Sequence, residues 1–195
     1  MKTFTSDYNS NLHMINETLR VGESFDITVK RLKIGGRKAV FYCLNGFVKD
    51  GIFEKEMEYL SQLTEENLRN IEDAEDFLDT YITYIECSTE LDLEKAVTFI
   101  LSGAVCLIVE GFSKAIIVDC RTFPARGVQE PESDKVLRGS HEGFVETMLF
   151  NTALIRRKIR NPKLTLKSYQ IGSESKTDVI VCYLEDKVDK KQLSI

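Results

Sequence analysis

Histidine is scarce in this chain. His13 and His141 are the only two, they lie far apart, and neither belongs to a Cys/His/carboxylate run with metal-ligand spacing. No metal site is expected. The cysteines Cys43, Cys87, Cys106, Cys120 and Cys182 are odd in number and form no CxxC pair. Most fall inside apolar, strand-like runs, which suits buried free thiols in a reducing compartment better than a disulfide framework. Long apolar runs are missing too. A bilayer span takes about 20 apolar residues, and the longest run, Ala104–Val109, is strand-sized. The opening MKTFTSDYNSNLHMI has no apolar core of the kind a signal peptide needs. Any membrane part of this protein is therefore expected outside these residues. A basic excess is also absent. The net charge of −5 and pI near 5.2 argue against a general nucleic-acid binder.

Catalytic signatures are lacking as well. There is no GxSxG, HExxH, P-loop or DxDxDG calcium loop. Gly35-Gly36 is not followed by GK[ST] and reads as a hairpin turn rather than a phosphate cradle. With two histidines, a Cys/His nucleophile pair has little to stand on. The expectation is no enzyme, no catalytic residue and no cofactor.

What is present is an ordinary globular composition: 195 residues, 43% hydrophobic and 29% charged, enough for one large domain or two small ones. Leu12, Ile15 and Leu19 predict a helix over Ser10–Leu19, ended by Gly22. FDITVKRL, Phe25–Leu32, alternates as a half-buried strand, and KAVFYCL, Lys38–Leu44, reads as its partner, buried on both faces. Phe53, Met57, Leu60 and Leu63 predict an inward stripe on a helix over Phe47–Leu63. The acidic run from Thr64 to Asp79 is expected to hold two short helices, with Tyr81–Cys87 as a strand or a helix end. A helix over Leu91–Leu101 precedes two near-continuous apolar strands, Ala104–Val109 and Ala115–Asp119, whose sheet must be covered by helices on its faces. The fold class is α/β: a helix-covered mixed β-sheet domain followed by a smaller, incomplete α/β subdomain. The expected division is 1–120 for the first subdomain, 121–139 for an extended polar connector, and 140–195 for a long helix and the start of the second subdomain.

That long helix is the strongest local signal. Between Ser140 and Arg160, Phe144, Met148, Ile155 and Ile159 form an apolar stripe, with Val145, Leu149 and Thr152 beside it. Ser140 serves as N-cap, Glu142 and Glu146 suit the start of the helix dipole, and Arg156, Arg157, Lys158 and Arg160 suit its end. Pro162 stops it. The basic end reads either as solvated or as a contact for an anion, a partner subunit or a membrane surface. Asn151 lies close to the stripe, where a buried amide needs partners; it fixes the connector to the helix or faces a neighbouring chain. Two strands follow, Leu164–Ile171 and Asp178–Leu184, and then the start of a further helix.

The string RGSHEGFVETMLFNTALIRRKIRNPKL closely resembles the signature of the GerA-type spore germination proteins, through Arg138, Gly139, Gly143, Phe144, Glu146, Asn151, Leu154, Ile155, Arg156 and Arg157. PARGVQEPESDKVLRG is similar through Arg126, Glu130, Pro131 and Glu132, while GESFDITVKRLKIGGRKAVFYCLNGFVKD resembles the stage V sporulation branch of that family. The chain departs from the usual pattern at Ser140 and His141. The resemblance implies an N-terminal soluble region of two small α/β subdomains, facing the spore core or cytoplasm, ahead of a membrane bundle in the spore inner membrane. It also implies a subunit of an oligomeric, channel-like assembly that releases ions on germination. The implied partners are the membrane domain of the same protein and other subunits, including copies of itself, and not nucleic acid. The interaction residues expected on this basis are Arg126, Glu130, Arg138, Glu142, Glu146, Asn151, Arg156 and Arg157, with Arg–carboxylate pairs locking a connector or a neighbouring subunit. The alternative reading is a module that binds a germinant or an ion in a cleft near the connector.

Overall fold

A computed structural model describes residues 2–48, 50–122 and 143–193. The first 122 residues build a helix-covered five-stranded sheet, and residues 164–184 form a separate hairpin. Helix α1 (Tyr8–Leu19) starts two residues before its expected beginning, because Asp7 caps it by accepting from the amide of Asn9. Arg20, not Gly22, is the left-handed residue that closes it. Strands β1 (Ile27–Ile34) and β2 (Arg37–Leu44) form a hairpin. Its turn places Gly35 and Gly36 at φ 51° and 80°, the paired left-handed geometry that favours glycine.

Helix α2 (Asp50–Ser61) begins three residues later than its sequence pattern suggests, because Phe47 and Val48 are held by the chain near Arg121 and Thr122. The acidic run yields one helix rather than two, α3 (Ala74–Tyr81), capped by Asp73. Tyr81 ends that helix, and a short strand that the sequence pattern did not announce, β3 (Cys87–Glu90), follows. Helix α4 (Leu93–Leu101) takes its cap from Asp92. Strands β4 (Val105–Val109) and β5 (Ala115–Val118) are fully buried, as their unbroken apolar spelling requires.

The order across the sheet is β1-β2-β4-β5-β3, and every ladder is antiparallel. Strands β3 and β4 both run against β5, so they are parallel to each other with β5 between them, joined by α4 in a split β-α-β unit. Helices α1 and α4 cover one face over Val40, Tyr42, Cys106, Ile108 and Ile117. Helices α2 and α3 cover the other over Phe41, Leu107, Val109 and Ile116. Tyr42 is buried, and its hydroxyl donates to Asn16 Oδ1 at 2.9 Å, so the one polar atom of that ring is satisfied.

Helix α5 (Met148–Lys158) is shorter than the expected rod over Ser140–Arg160. Gly143–Thr147 are not helical. Ser140, proposed as the cap, lies outside the described residues, as does most of the connector. Strands β6 (Leu164–Ile171) and β7 (Thr177–Leu184) pair in full register, and α6 (Lys190–Leu193) is a single turn. The near ends of this hairpin, Leu164, Thr165 and Leu166, are buried, whereas Tyr169, Ile171 and Val181 further out are exposed.

The cysteines report on this packing. Burial pushes the Cys43 thiol up to about 11 and the Cys106 thiol up to about 12; partial burial raises the Cys182 thiol as well, but that residue is exposed on the hairpin and within reach of a reagent. At about pH 8 a thiol reagent should modify Cys182 promptly, while Cys43, Cys106 and Cys120 react only as fast as the sheet opens. Peptide mapping by mass spectrometry reads this directly, and prompt labelling of Cys106 would contradict the buried position of β4.

Candidate functional site

The stripe Phe144, Met148, Ile155, Ile159 does not face the core. Phe144 is 66% exposed and Ile159 38%, and Met148 and Ile155 are half-buried. The residues of α5 that turn inward are Thr152, Ala153 and Arg156. Leu149 approaches the chain at Gly46, where an added Cβ would meet its side chain at 3.1 Å. An arginine thus stands where a periodic apolar pattern would put a leucine.

Arg156 is fully buried, so the basic end of the helix is not uniformly solvated. Its guanidinium forms a bidentate pair with Asp26, from Nε to Oδ2 at 2.8 Å and from Nη2 to Oδ1 at 3.1 Å. The two side chains are 0% and 3% exposed. Nη1 donates to the carbonyl of Asn161 at 3.0 Å, and Nη2 also donates to the carbonyl of Leu164 at 3.0 Å. Ser24 completes the cluster. Its hydroxyl donates to Asp26 Oδ1 at 2.6 Å and accepts from the backbone amide of Leu166 at 2.9 Å. The amide of Phe25 donates to the carbonyl of Leu166 at 3.0 Å, and the amide of Asn45 donates to the carbonyl of Asp26 at 2.8 Å.

The turn between α1 and β1, the end of β2, helix α5 and strand β6 therefore meet at one point. Arg20 adds an outer clasp: Nη1 donates to Thr165 Oγ1 at 3.0 Å and Nη2 lies 3.2 Å from Glu185 Oε2. Glu185 is held below the ordinary glutamate range, first by a hydrogen bond from Lys190 and also by the charge of Arg20. The chemistry of this cluster is that of a staple. The guanidinium nitrogens are occupied by fixed oxygens, and the Asp26 carboxylate they hold is buried with them.

Asn151 closes a second fastening. The amide of Val145 donates to Asn151 Oδ1 at 2.7 Å, and Asn151 Nδ2 donates back to the carbonyl of Val145 at 2.6 Å. That holds Val145 against the side of α5 in a non-helical path, which is why the helix starts after Thr147 and not near Ser140.

Of the other residues singled out from sequence, Glu146 is exposed and Arg157 is half-buried. Arg126, Glu130, Arg138 and Glu142 lie outside the described residues. Sequence reasoning missed Asp26, Ser24, Arg20 and Thr165. Asp26 was spelled as one polar residue in an alternating strand, and nothing local ties it to a helix 130 residues later.

Among the described residues, no group of His, Cys, Asp and Glu could hold a metal ion. One cavity lies between α2 and the sheet, lined by Phe41, Phe53, Glu56, Leu60, Ile82, Val105, Val118 and Cys120. It has room for about one water molecule. No helix among the described residues is long and apolar enough to cross a membrane.

Residues 13–195 match the family profile described as Bacillus/Clostridium GerA spore germination protein. The chain is 34% identical over 177 residues to stage V sporulation protein AF of Bacillus subtilis (strain 168), covering 90% of this chain and 35% of that protein. It is 28% identical over 178 residues to spore germination protein KA of the same organism, covering 89% of this chain and 32% of that one. The chain thus spans about a third of the length of these relatives. The crystal structure of the N-terminal domain of the A subunit of the Bacillus megaterium spore germinant receptor GerK3 superposes with a TM-score of 0.73 at 24% identity, covering 99% of this chain and 70% of that one. The helix-covered α/β fold expected from sequence is therefore shared with a solved domain.

The staple makes a stability prediction. Arg156→Ala leaves Asp26 buried without a counter-charge and should cost about 3–5 kcal/mol. Replacing both partners together, Asp26→Leu with Arg156→Met, should cost much less than either single change, because no uncompensated charge remains. Urea unfolding of the four proteins measures this; additive losses would show that the two side chains act independently.

Proposed function

The chain belongs to the GerA family of spore germination proteins, and we propose from this that it is the N-terminal region of a subunit that acts in spore germination by assembling with other subunits and passing on a gating signal, without catalysis. The protein would sit in the spore inner membrane through segments outside these 195 residues, with this region facing the cytoplasm or spore core. The assembly would be channel-like and would release ions.

One observation carries the reading: the most elaborate polar cluster of the described residues joins structural elements and presents nothing to a substrate. Arg156 fastens α5 and the hairpin to the turn before β1, so a displacement at the hairpin is handed to the five-stranded sheet instead of being absorbed in a loose joint. A catalytic centre would need accessible, mismatched acid and base groups, and this cluster buries a matched pair. The alternative of a germinant-binding cleft near the connector lies outside the described residues, and the cavity beside Glu56 is far too small for a sugar or an amino acid.

In spores, deleting the gene should slow ion release after germinant is added, and restoring an Asp26→Asn form should fail to recover the wild-type rate although the protein is present in the membrane. Ion release that is the same with and without the gene would end this reading.

A further inference from the structure

Charge is divided unevenly along this chain. Residues 50–86 hold twelve acidic side chains against Lys55 and Arg69, whereas residues 143–193 hold ten basic against six acidic. The acidic stretch is α2, α3 and the turns around them, and Glu54, Glu58, Glu65, Glu66, Asp76 and Asp79 are exposed there. Glu54 and Glu58 stand one turn apart on α2, a like-charge spacing that opposes the helix. Among the described residues, Glu75 is the one member of this stretch in an ion pair, with Lys114.

The basic stretch begins on the outer side of α5. Opposite the buried Thr152, Ala153 and Arg156, helical spacing puts Phe150, Leu154 and Lys158, and the chain continues into Ile159 and Arg160. Phe150 is 44% exposed and Ile159 38%, and Arg160 is exposed. Apolar side chains set among cations form the kind of surface that seats an acidic partner, with a desolvated centre and a charged rim.

The two surfaces cannot meet within one molecule. Helices α2 and α3 pack on the sheet face that carries Phe41, Leu107 and Ile116. Helix α5 joins the core of the opposite face through Ala153. They can meet only between molecules, head to tail, which makes a heterologous contact that closes into a ring or runs on as a filament.

We propose that the outer face of α5 and the two residues that follow it, from Phe150 to Arg160, dock on the acidic α2–α3 face of a second copy of this chain. This rests on the reading of the protein as an assembling subunit and adds which surfaces meet. The chain's own charge favours a second copy as the occupant: its α2–α3 face supplies the acidic surface that α5 lacks, whereas a net charge of −5 opposes approach to an anionic bilayer.

The test uses the native-length protein purified in detergent, with assembly size read by light scattering at low and high salt. Arg160→Glu should lower the assembled fraction several-fold, and Glu54→Lys with Glu58→Lys should do the same. Combining all three should restore much of it, and rising salt should weaken the wild type. If the wild type assembles and none of the charge variants changes it, the surfaces assigned here are wrong while the subunit reading stands. A wild type that is monomeric under all conditions defeats both. Losses that the combined protein fails to regain, with vesicles containing anionic phospholipid retaining the wild type but not Arg160→Glu, would assign the face to lipid and overturn the proposal.

Discussion

Arg156 and Asp26 meet without water, at 0% and 3% exposure. Removing two ions from solvent costs several kcal/mol each before their attraction returns any of it, so such a pair persists only where geometry is good and the remaining hydrogen-bonding sites are used. Both conditions hold here. The fork of the guanidinium matches the carboxylate, and the carbonyls of Asn161 and Leu164 and the hydroxyl of Ser24 take up the rest. Such a cluster adds little net stability over an apolar filling of the same shape, but it tolerates only one arrangement. Helix α5, the end of β2 and the start of β6 are set relative to the turn before β1 because any other placement would strand a charge.

The same economy appears in two asparagines. Asn11 accepts from the amide of Thr5 at 2.9 Å and donates to its carbonyl at 2.6 Å, just as Asn151 does with Val145. A side-chain amide carries a donor and an acceptor side by side, so it pairs with an extended residue much as a neighbouring strand would. In each case the segment before a helix is pinned against it. That pinning limits α5 to eleven residues.

These devices locate the working surfaces of the molecule. Among the described residues both faces of the sheet are covered by helices and the staple is buried, and the exposed surfaces are acidic helices on one side, an apolar and basic helix face on another, and the far half of the hairpin. For a chain that spans about a third of its relatives' length, these outer surfaces are where neighbouring chain segments or subunits can act on it.

Local spelling by itself determined a good deal. The Gly35-Gly36 hairpin, the unbroken apolar strands β4 and β5, the hairpin β6–β7, and α1 and α4 were all legible, because backbone periodicity and turn chemistry are written in neighbouring residues. The string from Arg138 to Leu164 also identified the family. The tertiary structure alone decided which side of α5 faces inward, where that helix begins, and that the short edge strand CSTE pairs with β5. It rotated α5 so that Arg156 points in, and it left Phe144 and Ile159, which flank the helix, exposed. The physical reason is that the free energy of burying a charge depends on the oxygens brought around it. Asp26, Ser24 and Leu164 reach Arg156 only after the chain has folded, and no window of neighbouring residues contains them.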